Sequence, residues 1–98
     1  DEQATADAVA DTVAERTRVM AGLRAAGWDV PDSQGNFVWL GVGDRTAALV
    51  ERLGRLDPPV LIRPFTGEGA RISIGARDEN DAVLAALADG PRALGDDA

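Results

Sequence analysis

Three apolar runs of strand length, set among stretches of helical periodicity, restrict this chain to a small set of layered folds. They are Phe37-Val38-Trp39-Leu40, Val60-Leu61-Ile62-Arg63 and Arg71-Ile72-Ser73-Ile74-Gly75. Branched and aromatic side chains suit a pleated, half-buried surface, and the third run alternates cleanly between apolar and polar. Pro64 has no N–H, so the second run stops there or lies on a sheet edge. Elsewhere the spacing changes to that of helices. Ala6, Val9, Val13, Met20 and Leu23 mark the inner face of a helix from Ala6 to Ala26, which Gly27 ends. Asp44 is placed to cap a second helix, with Ala48, Leu49, Leu53 and Leu56 inward, up to Asp57-Pro58-Pro59. A last helix covers Asp78 to Leu87, with Val83, Leu84 and Leu87 inward.

The resulting order is α-β-α-β-β-α. A right-handed crossover makes the first two strands parallel, and the third then pairs antiparallel with either one or inserts between them. The expected fold is α+β, a two-layer sandwich: a small three-stranded mixed sheet with about three helices mainly on one face. One domain should span residues 1–98, with residues 91–98 as a frayed tail.

The missing residue types exclude whole chemistries. There is no Cys, His, Tyr or Lys, and all 10 basic residues are Arg. Disulfides, thiolate nucleophiles, imidazole acid–base work and His/Cys zinc sites are therefore ruled out. No side-chain amine is present to form a Schiff base. A net charge of −7 argues against nucleic acid, and the aromatics Trp28, Phe37, Trp39 and Phe65 are too sparse for a base-stacking platform. No apolar stretch reaches the length of about 18 residues that a membrane span needs. Nor does the N-terminus read as a signal peptide, so the expected compartment is the cytoplasm.

Three constellations are candidates for function. Gly41-Val42-Gly43-Asp44-Arg45-Thr46 follows a strand and opens a helix, where a dinucleotide fingerprint would lie. Thr46 stands where the third glycine belongs and no acid ends the second strand, so a plain strand-to-helix turn is the better reading. Arg63 and Arg71 carry more. Strand periodicity puts Ile72 and Ile74 on one face and Arg71 on the other; in the second strand, Leu61 and Arg63 oppose Val60 and Ile62. If the isoleucines meet the helices, both guanidiniums project from the bare face, where their forked donors suit a carboxylate or phosphate. The competing reading is surface pairing with carboxylates such as Glu68. Asp78, Glu79 and Asp81 form the third group, and acids in a first helical turn need no ligand to explain them.

Three blocks resemble, in order and spacing, the small domain of histidinol-phosphate and aromatic amino-acid aminotransferases: residues 33–40 (SQGNFVWL), residues 60–65 (VLIRPF) and residues 69–75 (GARISIG) followed by Glu79-Asn80-Asp81. Leu23-Arg24-Ala25-Ala26-Gly27-Trp28 resembles the helix end that enters this domain. The resemblance runs from about Arg16 to Leu87 and implies the C-terminal small domain of a pyridoxal-phosphate-dependent transaminase. It implies that Arg71 binds the substrate's carboxylate or phosphate, that Arg63 lies near the same pocket, and that Asn36 starts the strand. It also implies a parent homodimer acting on an amino acid and a 2-oxo acid. The cofactor would sit in a large domain of the same polypeptide, on a lysine that this chain does not have. Residues 1–98 would supply no catalytic, cofactor or metal ligand, only recognition and closure. There are two departures: Ala76 stands where a capping Thr or Ser is common, and the turn before the third strand is short. A stand-alone anion-binding or regulatory module with the same fold is the alternative reading.

Overall fold

A computed structural model describes residues 2–57 and 59–95 and, for side chains, residues 11–57 and 59–95. Helix α1 (Glu2–Ala25) is followed by strand β1 (Phe37–Leu40), a 3-10 turn (Gly43–Arg45) and helix α2 (Thr46–Leu53). Strands β2 (Ile62–Phe65) and β3 (Gly69–Ser73), helix α3 (Arg77–Ala86) and a second 3-10 turn (Pro91–Leu94) complete the chain. The order of helices and strands is the one read from the sequence.

The first helix ends where its glycine allows. Gly27 takes φ +103°, a left-handed conformation open to glycine, and the Trp28 N–H turns back to the Leu23 carbonyl at 3.0 Å. Trp28 folds under the helix and donates its indole N–H to the Leu87 carbonyl at 2.8 Å, joining the end of α1 to the end of α3. Val19, Met20 and Leu23 are buried, whereas Val13, expected on the inner face, is 43% exposed. At about 1.5 Å per residue the helix outruns strands of four or five residues, so only its C-terminal half has a sheet to cover. The side chains of Ala6 and Val9 lie outside the described residues.

The second helix differs at both ends. The 3-10 turn moves its start past Asp44, which caps nothing; instead Thr46 donates its hydroxyl to the Gly43 carbonyl at 2.7 Å. Its end comes at Gly54, before Asp57 and Pro59, because glycine is a poor helix residue and a tighter turn takes over. Pro58 lies outside the described residues.

Strand β3 takes the central position, giving the order β1-β3-β2. This is the inserted arrangement, and it makes both ladders antiparallel, so the sheet is antiparallel rather than mixed. The parallel pair, β1 and β2, shares no ladder, because β3 lies between them. Pro64 sits in the edge strand β2, where a missing donor costs no ladder bond. Gly69 is required by the closeness of β1: a Cβ there would run into the Leu40 carbonyl oxygen.

One face of the sheet carries Val38, Leu40, Ala70 and Ile72, all buried, with Ile62 half-buried beside them. Leu23, Leu49, Leu53, Val83 and Leu87 from the helices cover that face. Each large side chain so buried contributes about 1.5–3 kcal/mol. Among the described residues, no helix lies on the opposite face. Residues 91–94, expected to fray, instead form a turn that buries Leu94 and is tied down by Arg45 to the Pro91 carbonyl and Arg52 to the Ala93 carbonyl, both at 3.3 Å. Residues 96–98 lie outside the description. Among the described residues, no helix is long and apolar enough to cross a membrane.

Candidate functional site

Register gathers the residues of the uncovered face. Trp39 and Arg63 are the direct partners of Arg71 on its two sides, one from each neighbouring strand. Phe37 opposite Ser73, and Phe65 opposite Gly69, are its diagonal neighbours. Paired positions point to the same side of a sheet, so all five side chains share this face. The Arg71 guanidinium lies over the Phe37 ring, 4.6 Å from its centroid, and 5.5 Å from that of Phe65. Arg63 lies over Phe65 at 5.6 Å. Trp39 meets Phe65 edge-on, with ring centroids 5.7 Å apart. The rings are half-buried and both arginines are exposed.

Pairing of these arginines with acids such as Glu68 is not found: among the described residues, neither guanidinium forms an ion pair or hydrogen bond. The Arg77 and Arg92 guanidiniums are likewise without a hydrogen bond or ion pair among the described residues, whereas six other arginines are engaged. Arg18, Arg24 and Arg55 hold carboxylates, while Arg16, Arg45 and Arg52 reach backbone carbonyls. Like charges directly across a ladder repel, and ring faces offset only part of that. Two forks of N–H donors thus meet on an open face, an arrangement able to receive a carboxylate or phosphate.

The other two candidates resolve structurally. In the glycine-rich turn, the Gly43 N–H already donates to the Glu68 carbonyl at 3.1 Å, so the turn braces the β2–β3 hairpin. In the acidic group, Glu79 accepts the Ala76 N–H at 2.7 Å and Asp78 accepts the Glu79 N–H at 2.9 Å. Together they do what an Ala side chain at the cap cannot. Asp81 pairs with Arg18 at 2.8 Å. Arg18 also holds Glu15, and the buried Asn80 amide donates to that carboxylate at 3.0 Å. Arg18 first, then Asn80, hold the Glu15 carboxyl down at about 2. Asn80 also brackets Gly75, accepting its N–H at 2.9 Å and donating to its carbonyl at 3.0 Å. Among the described residues, no cluster of acids could hold a metal ion. The Asn36 carbonyl accepts the Ile74 N–H at 2.8 Å, extending the β1–β3 ladder.

Sequence reasoning missed the rings around the arginines, having weighed the four aromatics only as a base-stacking platform. Strand alternation is the signal that could have set Phe37 and Trp39 on one face of β1, but only the register makes them neighbours of Arg71. Beside the arginines, Leu61 is 74% exposed and Phe65 half-buried, whereas Pro64, paired with the buried Ala70, points to the opposite side of the sheet.

No protein-family model matches the chain. It is 50% identical over 86 residues to the aromatic amino acid aminotransferase of Thermobifida fusca, an alignment covering 85% of this chain and 23% of that protein. Against the aromatic amino acid aminotransferase of Streptomyces coelicolor the identity is 47% over 76 residues, covering 78% and 21%. The fold matches the crystal structure of a "putative aminotransferase" from Burkholderia pseudomallei with a TM-score of 0.70 and 33% identity, over 90% of this chain and 28% of that one. The chain therefore spans only about a fifth to a quarter of the length of the curated relatives it matches. In sequence and in fold, the chain is similar to a small part of proteins named as aminotransferases.

Proposed function

We propose that this chain is the substrate-recognition and closure domain of a pyridoxal-phosphate-dependent transaminase of the aromatic amino-acid or histidinol-phosphate type. Arg71 binds the carboxylate or phosphate of the amino-acid or 2-oxo-acid substrate, and Arg63 borders the same pocket. The observation that carries this reading is the cross-strand pair Arg63 and Arg71, set against aromatic rings and without an acid partner among the described residues. An anion between the guanidiniums would relieve their repulsion and accept their donors.

The cofactor does not fit on this chain. With no lysine there is no side-chain amine to carry it, so its chemistry belongs to a large domain elsewhere in the same polypeptide, in a cytoplasmic homodimer. When bound there, the cofactor supplies the electron sink for transamination. What residues 1–98 contribute is an anion grip on a rigid sheet and an uncovered face that can close over a substrate and exclude water.

The test is Arg71→Ala in the intact parent enzyme. Losing charge-assisted hydrogen bonds worth about 1.5–3 kcal/mol each predicts a KM rise on the order of 100-fold, with cofactor absorbance retained. An unchanged kcat/KM would refute the assignment.

A further inference from the structure

We propose that Phe37 and Phe65 are positioning residues for Arg71, holding its guanidinium by the ring faces so that the N–H edge stays free for an anion. This rests on the reading of Arg71 as the anion grip, and goes beyond it by naming what holds that grip in place.

Among the described residues, Arg71 makes no hydrogen bond or ion pair that could orient it. An exposed arginine so placed would sample many rotamers, and each must be given up on binding. The rings supply the missing restraint. Phe37 on β1 and Phe65 on β2 approach from opposite diagonals, their centroids 4.6 Å and 5.5 Å from the Arg71 Cζ. Trp39, edge-on to Phe65, limits where that ring can move. Contact with a ring uses the π face of the cation and no donor, so all five N–H groups in the guanidinium plane remain available. A carboxylate partner would hold the arginine equally well but would occupy the donors the substrate needs. Phe65 also lies under Arg63, so one ring attracts both cations and steadies two like charges side by side.

The experiment is NMR of the 98-residue chain with labelled arginine, titrated with inorganic phosphate. In the free chain, the Arg71 Hδ and Hε resonances should show an upfield ring-current shift that collapses in Phe37→Leu. Phosphate should bind that variant about three- to tenfold more weakly, while Phe37→Trp restores both the shift and the affinity. Phe65→Leu should weaken phosphate binding similarly. Unshifted Arg71 resonances in the free chain, or a Phe37→Leu chain that binds phosphate as tightly as the unaltered one, would overturn the positioning role. If Arg71→Ala binds phosphate undiminished, the anion site itself is wrong, whatever the rings do. Circular dichroism of each variant separates these outcomes from loss of fold.

Discussion

Replacing Asn80 by Ala should cost more stability than any other polar truncation on the α3 side of the molecule. Asn80 is 2% exposed and its amide makes three hydrogen bonds, two to the Gly75 backbone and one to the Glu15 carboxylate. Each neutral bond contributes about 1 kcal/mol and the charged one about 1.5–3 kcal/mol. Gly75 is exposed, so water recovers part of the backbone loss. The net cost comes to about 3 kcal/mol, a large fraction of the roughly 5–15 kcal/mol available to such a domain. With a urea slope of about 1–3 kcal/mol/M, the midpoint should fall by about 1–3 M at unchanged slope. Tryptophan fluorescence is a suitable probe, since Trp28 is buried against the C-terminal end of α3. Asn80→Asp adds a sharper test: it keeps an acceptor for Gly75 but sets a carboxylate against Glu15, so it should recover stability as the pH drops below about 4. A midpoint shift below about 0.3 M for Asn80→Ala would refute the claim that this amide couples α1 to α3.

Two further outcomes can be measured on the same chain. The Glu15 carboxyl is depressed to about 2 when folded, so its contribution is complete above the ordinary carboxylate range near 4.5 and is lost as the pH falls toward 2; Glu15→Gln should flatten that acid limb in thermal melts. Gly69→Ala places a Cβ against the Leu40 carbonyl, which should cost about 1–3 kcal/mol and lower Tm by at least about 4 °C, whereas the same change at Gly67, which has nothing within 4 Å of its Cβ position, meets no such obstacle beyond its backbone strain.

Much of this protein was legible in its residues because short-range chemistry decides it. Period-two runs mark the three strands, Gly27 ends α1, and alternation sets Arg63 and Arg71 opposite Ile62 and Ile72. Block resemblance supplied the likeness to aminotransferases that the relatives share. Where local reading failed, a nonlocal partner was responsible. Val13 is exposed because the sheet beneath α1 is short. Within the tail expected to fray, residues 91–94 are held by Arg45 and Arg52, arginines 46 and 41 residues away from their partners. Ala76 is a local exception: the Asp78 carboxylate accepts the Glu79 N–H that a capping hydroxyl would otherwise take.

What the sequence alone determined, then, is which segments are strands and helices and which side of each strand is apolar, since both follow from a residue and its near neighbours. Only the tertiary structure decided that β3 lies in the middle. That one choice makes the sheet antiparallel, puts Arg63 and Trp39 on either side of Arg71 and brings Phe37 and Phe65 to its diagonals. Strand order and register depend on which apolar faces the helices can cover together, a property of the assembled core that no single stretch of chain contains.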